Sequence, residues 1–152
     1  EGLQFETAIE SDCAPLGEPV MALIEAGLDL HCLRDLTRGG LATALVEIAQ
    51  SAGLEILVRE SAIPVQNEVR GACELLGLDP LYVANEGRFI AFLPADQADR
   101  ALEILRRRPV GAGAVLIGAV EKPGRGLVKL RNPFGSTRIL DRLSGEQLPR
   151  IC

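Results

Sequence analysis

The sequence predicts an α+β protein: a mixed sheet covered by helices, partly ferredoxin-like in its connections, with a flexible C-terminal tail outside the sheet. Three observations carry this. Helix-patterned and strand-patterned segments alternate along the 152 residues, but the loops joining them are too short for a purely parallel sheet. The late strand-like segments meet across a Pro-Gly turn, as hairpin strands do. The core material is aliphatic, since 47% of residues are hydrophobic and only 3% aromatic, with no Trp. A chain this long can bury a core of Leu, Ile, Val and Ala.

The elements follow in order. GLQFETAIESD, residues 2–12, is extended, with partial alternation in FETAI. PLGEPVMALIEAG, 15–27, is a helix with Pro19 in its first turn and Gly27 to end it. LDLHCLR, 28–34, is a short strand. DLTRGGLATALVEIAQSAG, 35–53, turns into a helix whose Leu41, Leu45, Ile48 and Ala49 share one face. EILVRE, 55–60, is a strand, and IPVQNEVRGACELLG, 63–77, a helix closed by Gly77. RFIAFLP, 88–94, is a strand bracketed by an Asn-Glu-Gly turn and Pro94. ADQADRALEILRRR, 95–108, is a helix with Leu102 and Leu105 inward and arginines at the end that suits cations. VGAGAVLIGAVEK, 110–122, and RGLVKLRN, 125–132, are strands joined by the turn at 122–126. STRILDRLSGEQLPRIC, 136–152, starts as a short strand and then loses periodicity.

Charge and cysteines narrow the function classes. Sixteen Lys and Arg face 21 Asp and Glu, a formal net charge of −5. With no basic stripe, nucleic-acid binding has no support. No apolar run is long enough to span a bilayer and no signal peptide is seen, so the expectation is a soluble cytoplasmic domain without membrane binding. Cys13, Cys32, Cys73 and Cys152 form no CxxC pair, and a lone His31 cannot complete a zinc site, so no metal-binding residues are expected. Cys32 and Cys73 sit in apolar segments and read as small core residues. Cys13 lies in a loop, and Cys152 is the last residue of the sequence.

Three constellations can carry chemistry. In RDLTRGG, Arg34–Gly40, two glycines at a helix entrance keep side chains away from the first amides, which favour an anion. Asp35, Thr37, Arg38, Gly39 and Gly40 are the candidates there, with Thr37 as a helix cap and Arg38 as an oxyanion partner. Glycines kept for close packing and an ordinary capped helix would look the same. In VANEGRF, Asn85 and Gly87 form a turn that holds Glu86 at a strand end, where a carboxylate can act as a base or simply be solvated. In the tail, the ten residues from Leu143 to Cys152 reach about 30 Å when extended. Pro149 stiffens the tip, and Arg150 favours a thiolate on Cys152.

Taken together, SDCAPL, LRDLTRGGLATALVEIA, NEGRF and the closing NPFGSTRILDRLSGEQLPRIC resemble the C-terminal portion of the HypE hydrogenase-maturation proteins. RDxTRGG alone is similar only to their wider superfamily, typified by aminoimidazole ribonucleotide synthetase (PurM). The resemblance implies a PurM-like C-terminal domain over residues 1–140, with 1–14 an interdomain strand or linker and 141–152 a mobile tail. It implies that Cys152 accepts a carbamoyl group from the carbamoyltransferase HypF. The S-carboxamide is then dehydrated with ATP to a thiocyanate, and the cyano group passes to iron on a HypC–HypD scaffold for the [NiFe]-hydrogenase centre. Glu86 is the implied base and RDLTRGG the phosphate-proximal loop, with Asn85, Gly87, Pro149 and Arg150 in support. ATP and Mg²⁺ belong mostly to an N-terminal domain that this chain is expected to lack, which makes it a fragment, inactive alone, of a full-length homodimer. The alternatives are another enzyme domain of the superfamily, similar to selenophosphate synthetase, and a docking module without catalysis.

Overall fold

The computed structural model describes residues 10–142. Its helices are α1 (Gly17–Glu25), α2 (Gly40–Ala52), α3 (Asn67–Leu76) and α4 (Ala98–Arg106). Its strands are β1 (Cys32–Leu36), β2 (Leu54–Arg59), β3 (Asn85–Phe92), β4 (Gly118–Pro123), β5 (Val128–Arg131) and β6 (Thr137–Leu140). They form an antiparallel β1–β3 ribbon and a four-stranded sheet in the order β4-β2-β5-β6. In that sheet β2 and β5 are parallel and the other pairs antiparallel. The expected α+β architecture with a mixed sheet is what the chain builds. Residues 1–9 and 143–152, with the proposed interdomain strand and most of the tail, lie outside the described residues.

Helix α2 organises the core because small and aliphatic residues surround it on more than one side. Leu41, Ala42, Ala44, Leu45, Val46 and Ala49 are all buried, and Ile48 is half-buried. One side meets the inner face of the sheet, where Ile56, Val58, Val128, Leu130 and Leu140 alternate inward. Another meets Leu36, Ile90 and Phe92 of the ribbon. The ribbon's opposite face uses Phe89 and, just past the strand, Leu93 to pack on Leu23, Leu28 and Ala101 beneath α1 and α4. Residues 89, 90, 92 and 93 therefore serve two cores from one strand, as the period-two geometry allows. Gly27, Gly53 and Gly77, each with positive φ, close the first three helices, an arrangement that disfavours any residue with a Cβ.

Four expectations are corrected. The segments 110–122 and 125–132 are not hairpin partners, because β2 sits between β4 and β5. The hairpin is instead β5–β6, closed by 132–136. Residues 109–111 form a 3-10 turn rather than a strand, since Gly111 lies directly against the Leu105 carbonyl at the end of α4. On α4, Ala101, Ile104 and Leu105 face the core, whereas Leu102 is displaced to a surface cleft beside Asp99 and Arg106. The strand expected at 28–34 begins at Cys32, because Leu28 and Leu30 are used by the α1/α4 core before pairing starts. Of the cysteines, Cys73 is buried as expected, Cys32 half-buried and Cys13 exposed. Burial, with the Asp79 charge adding to it, pushes the Cys73 thiol up.

The outer face of the sheet carries a charged cluster. Lys129 Nζ donates to Glu55 Oε2 at 2.7 Å and to Glu121 Oε2 at 3.3 Å, with Lys122 Nζ 4.0 Å from Glu55. The Lys129 hydrogen bond holds the Glu55 carboxyl below its ordinary 4.5, and Lys129 is raised above 10.5 in return. A depressed carboxyl contributes stability above its unfolded pKa and loses it as pH falls through the folded one. Glu55→Gln is therefore expected to flatten the loss of thermal stability between neutral pH and about pH 3. Melting curves of both proteins across that range provide the check.

Candidate active site

The two sequence motifs meet at one end of the ribbon. Pairing runs Cys32–Phe92, Leu33–Ala91, Arg34–Ile90 and Asp35–Phe89, and then jumps to Leu36–Asn85. The register advances one residue on β1 and four on β3, so Glu86, Gly87 and Arg88 bulge out of the ladder opposite Asp35 and Leu36. The Asn-Glu-Gly segment is thus not a turn ahead of the strand, as expected, but a bulge within it. Bulges re-aim side chains, and Glu86 and Arg88 here are both exposed.

Gly87 belongs to this bulge for a steric reason. A Cβ on it would overlap the Asp12 carbonyl oxygen and approach Ala14 N to 2.9 Å. Residues 12–14 cross the bulge there, and Asp12 Oδ2 accepts the Glu86 backbone N–H at 3.0 Å. Asn85 Nδ2 donates to the Val83 carbonyl at 2.8 Å and shapes the approach to the strand. Asp12, Cys13 and Arg88 are site neighbours that residue-by-residue reading passed over. Their only signal was that SDCAPL and NEGRF belong to the same set of motifs.

The RDLTRGG loop supplies the other wall. Gly39 and Gly40 take φ of +65° and +61°, a region costly to residues with a Cβ. A Cβ on Gly40 would lie 2.5 Å from the Leu81 carbonyl oxygen and 2.6 Å from that of Val83. Gly40 lets the start of α2 pack against the 80–83 segment that leads into Glu86, while a Cβ on Gly39 would meet the Thr43 side chain. Thr37 does not cap α2, as expected for it; the N-cap is Gly39, without a side-chain bond. Thr37 Oγ1 instead donates to Asp35 Oδ1 at 3.1 Å, holding that exposed carboxylate in the loop. Arg38 is exposed, and Arg34 is committed to Glu47 at 2.7 Å. The structure therefore brings Asp35, Thr37, Arg38, Gly39, Gly40, Asn85, Glu86 and Gly87 into one neighbourhood. Pro149, Arg150 and Cys152 lie outside the described residues. The 80–83 segment is also tied to the end of β6, since Tyr82 Oη donates to the Asp141 carbonyl at 2.9 Å and Arg138 meets Asp79 at 2.8 Å.

A helix-covered mixed sheet with a glycine-pinned loop facing a carboxylate bulge defines a class that comparison identifies. Residues 1–131 match the family of AIR synthase related proteins, C-terminal domain, and the chain belongs to that family. Within it, the chain is 52% identical over 150 residues to the carbamoyl dehydratase HypE of Rhodobacter capsulatus, covering 99% of this chain and 44% of that protein. Among solved structures it superposes on a crystal structure of the hydrogenase maturation protein HypE with a TM-score of 0.91 and 46% identity, over 99% of this chain and 49% of the other. HypE in complex with ATP matches with a TM-score of 0.90 and 45% identity, over 99% and 46% of the two chains. A HypE–HypF complex gives 0.86 and 40%, over 93% and 46%. The chain spans about half the length of the relatives it matches. Among the described residues, no helix is long and apolar enough to cross a membrane.

Proposed function

We propose that this chain is the thiol-bearing half of an ATP-dependent carbamoyl dehydratase of hydrogenase maturation. The observation that carries the reading is the meeting of the Glu86 bulge with the RDLTRGG loop, in a chain so similar to HypE dehydratases over its whole length. Cys152 is the acceptor. Its thiolate takes a carbamoyl group from a carbamoyltransferase of the HypF kind, a partner supported by the HypE–HypF complex of a relative. Pro149 and Arg150 stiffen and polarise the tip that delivers it.

Dehydration converts the S-carboxamide and ATP to a thiocyanate, ADP and phosphate. An amide oxygen is a poor leaving group, and ATP supplies the phosphoryl group that makes it a good one. The nitrogen must shed its protons as the C–N multiple bond forms, and Glu86 is the base. Asp12 holds the Glu86 backbone N–H, so the bulge keeps its shape while the exposed carboxylate works. Arg38, Thr37, Gly39 and Gly40 form the phosphate side, with Arg38 as the compensating cation. Thr37 Oγ1 already donates to Asp35, so the donors left for ATP are Arg38 and the amides at the start of α2, and HypE binds ATP in a relative's structure. The Mg²⁺ that accompanies ATP can draw on Asp35, but among the described residues no three His, Cys, Asp or Glu side chains cluster. Its remaining ligands come from the nucleotide and from the rest of the full-length protein, which also supplies most of the ATP site and the homodimer contact. The thiocyanate then hands its cyano group to iron on a HypC–HypD scaffold, and the whole cycle takes place in the cytoplasm.

Intact mass on the full-length protein tests this. With transferase, carbamoyl phosphate and ATP, the protein is expected to gain one carbamoyl group and then lose one water. No adduct in the presence of an active transferase would overturn the proposal. Glu86→Gln separates the two steps: carbamoylation should persist while dehydration slows by roughly 10²–10⁴-fold. Equal slowing of both steps would remove Glu86 from the role of base.

A further inference from the structure

We infer that the turn between β5 and β6 is a docking spike for the protein that loads Cys152, with Phe134 as its anchor and Arg59 and Arg131 as a cationic flank; this rests on the carrier reading above. Phe134 is 94% exposed, in a chain that has only four Phe, one Tyr and no Trp. The backbone beneath it is braced. Asn132 Oδ1 accepts the N–H groups of Phe134 at 3.1 Å and Ser136 at 2.9 Å. The Asn132 N–H donates to the Ser136 carbonyl at 2.9 Å and the Gly135 N–H to the Asn132 carbonyl at 3.0 Å, while Gly135 turns the chain at φ +89°. An aromatic ring held out on a pre-ordered turn loses little entropy when a partner's pocket takes it, which is the profile of an interface hot spot.

The charge beside it names the partner's chemistry. The parallel β2–β5 register sets Arg59 against Arg131, and β6 sets Thr137 beside them. Adjacent like charges repel, and among the described residues neither arginine has a carboxylate within ion-pair distance. Among the described residues, the Arg59 guanidinium makes a single hydrogen bond, to the Leu116 carbonyl at 3.1 Å. Ile139, two residues beyond Thr137 on the same face, is 56% exposed. In a chain of net charge −5, this basic and apolar corner is complementary to an apolar socket rimmed by carboxylates.

A relative's HypE–HypF complex, together with the position of the turn, favours the loading enzyme as occupant. β6 runs from this turn directly into the segment that ends at Cys152. Four strand residues span about 14 Å, and the ten that follow Arg142 reach at most about 35 Å. A transferase seated on the spike is held beside the strand from which the acceptor continues, which raises the effective concentration of the thiol at it.

Steady-state carbamoylation by the transferase, with the full-length protein as substrate, tests this. Phe134→Ala is expected to raise KM about tenfold or more with kcat nearly unchanged, and Phe134→Tyr to stay near wild type. Arg131→Glu should raise KM and weaken its dependence on salt. An unchanged KM in Phe134→Ala and Arg131→Glu, with the wild type carbamoylated normally, overturns the spike and leaves the carrier reading standing. Unchanged loading with weakened cyano-group transfer to the scaffold, or with lost self-association in sedimentation, also overturns it, because the surface then serves that other occupant. No carbamoylation of the wild type overturns the carrier reading, and the spike with it.

Discussion

Cys152→Ala is expected to abolish the covalent adduct completely, while the fold and the ATP binding of the full-length protein stay intact. Cys73 is buried and its thiol is pushed up, so it is a poor nucleophile. Cys32 pairs within the ribbon opposite Phe92. Cys13 is exposed but held in the loop that crosses the Glu86 bulge, and it cannot travel to a partner's active site. Only Cys152 follows a ten-residue extension, which reaches about 30 Å. The check is intact mass with peptide mapping after incubation with transferase, carbamoyl phosphate and ATP. The wild type should carry the carbamoyl group on the last peptide and then show its dehydrated form, whereas Cys152→Ala should show neither. Adduct retained on the Ala variant, mapped to Cys13, would move the acceptor into the loop and make the long extension irrelevant to chemistry.

Gly40→Ala is expected to be strongly damaging for a substitution that adds only one methyl group. Two costs combine. A residue with a Cβ at φ +61° pays roughly 1–2 kcal/mol. The new methyl also meets two backbone carbonyl oxygens, at 2.5 and 2.6 Å, that no rotamer change can move aside. Overpacking of that kind adds roughly 1–3 kcal/mol, so about 3 kcal/mol in all is expected, read as a lower denaturant midpoint. Gly27→Ala is the control. Its φ is +68°, but nothing lies within 4 Å of the added Cβ, so it should lose only the conformational part, about 1–2 kcal/mol. Dehydration should fall further than stability explains in Gly40→Ala, because the same displacement separates RDLTRGG from the segment that leads to Glu86. Equal losses at Gly27 and Gly40 would mean that the close packing of α2 on residues 80–83 is unimportant.

Much of the molecule was legible in the sequence because its signals are local. The helices were readable from apolar spacing and from Gly27 and Gly77, since 3.6-residue periodicity and left-handed helix ends depend on neighbours only a few positions away. The mixed α+β character was readable from short connections. The two motifs that meet in the candidate site were readable as well, through their resemblance to a family. The chemistry of a residue type such as Cys152 or Glu86 does not wait on the fold.

What the tertiary structure alone decided is long-range. Whether 110–122 and 125–132 pair with each other or admit β2 between them turns on which strand best covers α2, and the inward Ile56 and Val58 settle that in favour of β2. The Asn-Glu-Gly segment has the composition of a turn, yet it became a bulge because both of its flanks pair with β1 and residues 12–14 pass over Gly87. Thr37 had a cap's identity, but α2 starts at Gly40 with Gly39 as its N-cap, and the Thr37 hydroxyl donates to Asp35 instead. Gly40 could have served an anion or a packed backbone, and only the 80–83 carbonyls reveal the close approach. In each case local preference was satisfied in more than one way. Contacts between residues tens of positions apart chose among the options, because the free energy of burying α2 exceeds the small differences between local conformations.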